Sequence, residues 1–93
     1  MFRYKNITLA APTTTVVKTG IGDFHGITVN KAAATGVITI YDGIDATGTI
    51  IGTITMPATL LANQVFIPYD VSFVKGLTIV TATAAQDLTV SYR

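Results

Sequence analysis

A chain of 93 residues, 49% hydrophobic and 12% charged, is one small domain spanning residues 1–93; disorder, which needs little hydrophobicity and much charge, is excluded. A net charge of +1, from six Lys or Arg against five Asp, gives no electrostatic case for a nucleic-acid or membrane partner. With no Cys there is no disulfide or thiolate metal site, and area scaling leaves about 9,000 Å² to hide on folding, enough for one core without a deep catalytic cleft.

Thr occurs 17 times, Ile 11 and Val 9, while Glu and Trp are absent. β-Branched side chains lose rotamer freedom in helices and pack well on pleated sheets, so the chain reads as all-β. Residues 2–9 open it as a strand, with Phe2 and Tyr4 on one face and Ile7 and Leu9 on the other. Phe2, Arg3, Tyr4 and Lys5 also set aromatics beside cations, the residue types enriched at interfaces, which makes this segment a second-choice contact arm. A strand over 14–19 ends at the turn residues Gly20-Ile21-Gly22-Asp23. The next, 24–32, alternates through Ile27-Thr28-Val29-Asn30 and sets His25 in phase with Ile27 and Val29, across from Phe24.

Thr35-Gly36 leads into a strand at 37–42, and Tyr41 to Gly48 joins it to an antiparallel partner at 48–56. Val37 to Tyr41 and Ile50 to Ile54 alternate less cleanly, as strands do when buried on both faces, within the fold or at a subunit contact. Pro57 to Asn63 fits a single helical turn, with Pro at its start and Asn near its end. In the strand 65–73, Pro68 cannot donate to a ladder and predicts an edge or a bulge. Strands at 77–83 and 87–92 follow, with Thr83 to Asp87 closing a last hairpin. Eight short strands punctuated this way suggest a β-sandwich or a small barrel, and the fold expected is a jelly-roll-like β-sandwich of about eight antiparallel strands.

Chemistry is sparse. His25 is the sole histidine; one imidazole makes no metal site, and any triad would have to use it. Asp42 and Asp45 share a loop and offer carboxylates for Ca²⁺, but Asp42-Gly43 is better explained as turn chemistry. Ser72 and Ser91 lie outside any nucleophile-elbow pattern, and Gly20-Ile21-Gly22 lacks the third glycine and the helix of a dinucleotide fingerprint. The sequence therefore predicts no catalytic residue, no metal ligand, no cofactor and no enzyme activity.

The surface is the informative feature. A small soluble monomer carries a well-charged exterior, whereas here the polar positions of the strands are mostly Thr. Neutral faces lose little desolvation energy when covered, so a permanent homo-oligomer is expected. Gly36-Val37-Ile38-Thr39-Ile40-Tyr41-Asp42-Gly43, continuing through Asp45-Ala46-Thr47-Gly48-Thr49-Ile50-Ile51-Gly52-Thr53-Ile54, resembles small virion proteins of tailed bacteriophages. So does Gly76-Leu77-Thr78-Ile79-Val80-Thr81-Ala82 followed by Asp87-Leu88-Thr89-Val90-Ser91-Tyr92-Arg93. The resemblance covers roughly the second two-thirds of the chain and implies a capsid cement or decoration protein, a homotrimer built on a β-sandwich. Its partners would be itself and the major capsid protein, and its place the outer capsid surface after synthesis in the host cytoplasm. Expected interface residues are Phe2, Arg3, Tyr4 and Lys5, with Val37, Ile38, Ile40, Tyr41, Ile50 and Ile51. The alternative is a carbohydrate-binding or fibre-type receptor-binding module presenting Tyr and Asp to glycans.

Overall fold

The computed structural model describes residues 2–8, 13–31, 36–55, 65–82 and 87–93. They form eight strands: β1 (Arg3–Ile7), β2 (Thr13–Thr19), β3 (Gly22–Lys31), β4 (Val37–Asp42), β5 (Thr49–Thr55), β6 (Val65–Phe73), β7 (Gly76–Ala82) and β8 (Asp87–Tyr92). The helical turn expected at 57–63 lies outside the described residues. Two four-stranded sheets result, ordered β1-β8-β3-β6 (sheet A) and β2-β7-β4-β5 (sheet B). Every pairing is antiparallel. First pairs with last, second with seventh, third with sixth and fourth with fifth, which is the wiring of a double-sheet jelly roll.

This wiring corrects the expected last hairpin. β7 pairs with β2 and β4 in sheet B, and β8 with β1 and β3 in sheet A. The two strands lie in different sheets and do not pair with each other.

The core lies between the sheets. Sheet A supplies Ile7, Phe24, Ile27, Val29, Phe73, Leu88 and Val90, and sheet B supplies Ile38, Ile40, Leu77 and Ile79. Full burial of such a side chain stabilises the fold by about 1.5–3 kcal/mol. Strand β4 alternates cleanly after all: Ile38 and Ile40 are buried while Val37, Thr39 and Tyr41 are half-exposed.

Register shifts leave four residues extra in bulges, two of them in strands at a sheet edge. Val17 is extra in β2 against β7, His25 and Asn30 in β3 against β8, and Ile51 in β5 against β4. A bulge slips the face of everything beyond it. Phe24 therefore shares the inward face with Ile27 and Val29, and His25 sits outside, contrary to the phase read from the sequence. Strand β6 is an edge strand and carries one extra residue between Pro68 and Val71, as the proline predicts. Asp70 takes a left-handed φ of 52° there, a conformation Asp tolerates better than most side chains.

Candidate interaction surfaces

Three surfaces are presented: the outer face of each sheet and one end of the sandwich. The outer face of sheet B follows from register. Strand β2 contributes Thr14 and Val16, and β7 contributes Val80 and Ala82 beside the buried Thr78. Strand β4 contributes Val37, Thr39 and Tyr41, and β5 contributes Ile50, Thr53 and Thr55. No charged residue falls on this face among the described residues. Val16 and Ile50 are exposed, and Thr78 donates its hydroxyl to the Gly43 carbonyl at 2.7 Å. Covering such a face strips no ionic hydration, whose loss is the largest cost of burying ordinary protein surface.

The outer face of sheet A is polar and internally bonded. Asn6 Nδ2 donates to Asp87 Oδ1 and to the Leu88 carbonyl, both at 2.9 Å. Asn30 Nδ2 donates to the same Asp87 oxygen at 3.2 Å and to Thr89 Oγ1 at 2.8 Å. Next to this network runs an aromatic strip. The Phe2 ring stacks on His25 at 4.3 Å between centroids, and Phe66 lies tilted against the imidazole at 5.4 Å. The Arg93 guanidinium stands 5.4 Å over Phe2. His25 Nδ1 lies 2.6 Å from Asp70 Oδ1; an ionised carboxylate only accepts, so that nitrogen carries the hydrogen. His25 thus serves as a platform that ties the start of the chain to β3 and β6.

The third surface is the end carrying the β2–β3, β4–β5 and β6–β7 connections, and carboxylates organise it. Asp42 Oδ1 accepts the Val74 and Lys75 backbone N–H groups at 3.1 and 2.9 Å. These bonds, led by that from Lys75, hold its carboxyl below the ordinary carboxylate pKa. Asp45 accepts the hydroxyl and backbone N–H of Thr47 in an Asx turn, which likewise lowers its pKa. Asp42 and Asp45, the carboxylates weighed for Ca²⁺, thus each accept hydrogen bonds that shape these turns. Asp23 forms a forked pair with Arg93 Nε and Nη2 at 3.2 and 2.9 Å and accepts from Ser72 Oγ at 2.9 Å. Its pKa is lowered, first by Arg93 and then by Ser72.

The expected interface residues separate accordingly. Ile38 and Ile40 are wholly buried in the core of a single chain, so they are unavailable to a second subunit; the alternation of β4 points them inward. Ile51, the bulge residue, is half-buried and packs against that core. Val37, Tyr41 and Ile50 lie together on the outer face of sheet B. Arg3, Tyr4 and Lys5 are exposed but paired along β8 as edge strand β1, and Phe2 is stacked on His25, so they do not form a free arm. The sequence reading passed over Thr14, Val16 and Val80 on sheet B, and took Thr39 and Thr53 only as parts of the segments 37–41 and 50–54 without naming them as interface residues. Their signal was the lack of charge at alternating positions of four strands, visible only once strand order is known. No family model, curated protein or solved structure matches the chain.

Proposed function

We propose that this chain is a phage virion component that assembles with itself through the outer face of sheet B and coats an assembled capsid without chemistry. The carrying observation is that face: four strands wide and free of charge among the described residues. The jelly-roll wiring and the resemblance of the Tyr41-Asp42-Gly43 and terminal strand patterns to phage decoration proteins support the same reading. Coating acts by linkage. A ligand that binds only the assembled shell favours assembly by mass action, and an oligomer turns several weak contacts into one strong attachment when their spacing matches the lattice. A homotrimer is the form the resemblance implies.

The test adds the purified protein to empty capsids built from the major capsid protein of the same genome. Saturable occupancy and a raised capsid melting temperature are expected; capsids that take up no protein at micromolar concentration would refute decoration. A second reading rests on the aromatic strip of sheet A, where Phe2 and Phe66 are each nearly half exposed beside Asp70. Aromatic faces beside carboxylates suit sugar stacking, and a glycan array that lights up while capsids stay bare would favour this receptor-binding role.

A further inference from the structure

We infer that the aromatic strip of sheet A binds a neutral sugar, whose apolar face stacks on Phe66 and whose adjacent hydroxyls donate to Asp70 and His25. The inference rests on the receptor-binding reading and names its site and ligand class. It is compatible with self-assembly through sheet B, which leaves the opposite sheet facing solvent. Two bulges build the strip. His25 is the one residue of β3 between Phe24 and Gly26, and the facing stretch of β6 sets two residues, Tyr69 and Asp70, against it. Bulges re-aim side chains and concentrate beside binding sites. Here two of them converge and turn His25 and Asp70 to the same outer face, where the side chains meet at 2.6 Å. Asp70 gets there from a left-handed backbone, the only non-glycine residue among the described ones to adopt it; such conformations cluster at functional sites.

Gly26 lets the aromatic flank form. A Cβ there would stand 2.7 Å from Phe66 Cζ, so the Phe66 ring lies against bare backbone beside the imidazole. Phe66 is still 45% exposed, Phe2 48% and the Asp70 side chain 66%. Rings that are exposed yet fixed by their neighbours offer flat apolar faces and lose little conformational entropy on binding. A pyranose supplies the matching shape: a patch of C–H groups on one face of its ring, with hydroxyls around the rim. An apolar surface with a few placed polar groups is the ordinary make-up of a small-ligand site.

Hydrogen-bond chemistry narrows the ligand to a polyol. The His25 Nδ1–H is committed to Asp70 Oδ1, which leaves two neighbouring acceptors, Asp70 Oδ2 and, in the neutral ring, His25 Nε2. Arg93, over Phe2, commits Nε and Nη2 to Asp23. Acceptors side by side call for donors on adjacent atoms, as a vicinal diol presents; an extended peptide would bring as many carbonyls as N–H groups. Charge excludes the acidic sugars. Among the described residues Asp70 forms no ion pair with Lys or Arg, and Arg93 is matched by Asp23. Arg3 and Lys5 alternate onto the face of β1 shared with buried Ile7, and Lys31 stands at the far end of β3. A sialic or uronic carboxylate would meet the Asp70 charge uncompensated.

The experiment screens the full chain on an array of neutral and sialylated glycans, then titrates it with the neutral glycan bound best. The ring-proton resonances of His25 report on the site, and they are unambiguous because it is the sole histidine. Wild-type protein is expected to bind neutral glycans and to shift these resonances saturably. Phe66→Leu keeps apolar bulk but removes the flat ring, and Asp70→Asn keeps the shape and suits the left-handed backbone. Each should weaken binding about tenfold or more with thermal melting unchanged. Neutral-glycan binding that leaves the His25 resonances unmoved, or that survives both substitutions, overturns the inference while the receptor-binding reading stands. A wild-type preference for sialylated glycans does the same. Wild-type protein that binds no glycan defeats the receptor-binding reading, and this inference with it.

Discussion

Gly76 shows how tightly single atoms govern the loop end. A Cβ built on it would stand 2.8 Å from the Lys18 carbonyl oxygen and 2.9 Å from that of Gly43. Both are backbone atoms that cannot rotate away, so Gly76→Ala is expected to destabilise the fold by about 1–3 kcal/mol, read by denaturant unfolding. Thr81 behaves oppositely. Its hydroxyl is buried and has no hydrogen-bond partner among the described residues, so the isosteric Thr81→Val removes a desolvated polar atom and should raise stability by about 1 kcal/mol in the same assay. Asp42 gives a pH signature. Its folded pKa is depressed, so its contribution is complete above the unfolded value near ~4 and is lost as pH falls through the folded value. Asp42→Asn should be less stable than wild type at neutral pH, and the gap should close as the pH falls below about 4. A gap that stays constant into acid would show that the charge carries none of the bracing.

At the scale of strands, most of the fold was legible. Period-two alternation and turn residues located all eight strands to within a residue or two, and Pro68 correctly marked β6 as an edge. The misses were bulges. A bulge adds one residue without changing composition, so His25 read as sharing a face with Ile27, although the extra residue turns it outward. Ile38 and Ile40 were read as contact candidates because Val37 to Tyr41 is almost wholly apolar. Its two faces differ in what covers them, the opposite sheet or nothing among the described residues, and composition cannot tell these apart. The difference is measurable on neighbouring residues of β4. Ile40→Ala empties core volume and should cost about 2–5 kcal/mol. Thr39→Lys points outward and should leave subunit stability within about 0.5 kcal/mol while breaking self-association. Unfolding midpoint and sedimentation mass together separate the two effects.

At the scale of the whole molecule, strand order was the least legible property. Local pattern says where strands are, whereas pairing β1 with β8 or β7 with β2 joins residues more than 55 positions apart. The expected terminal hairpin failed for that reason: adjacency in sequence stood in for adjacency in space. Strand order is also what converts a general shortage of charge into a specific surface. It gathers Val37, Thr39, Tyr41 and Ile50 onto one face with Val16 and Val80. The central claim, that the uncharged face of sheet B is covered by another copy, is tested most directly by the mass of the wild-type protein in solution. Light scattering at micromolar concentration and moderate salt should return a multiple of the 9.8 kDa subunit, threefold for a trimer, and Thr39→Lys should reduce it to one. A wild-type mass of 9.8 kDa under those conditions would contradict the account.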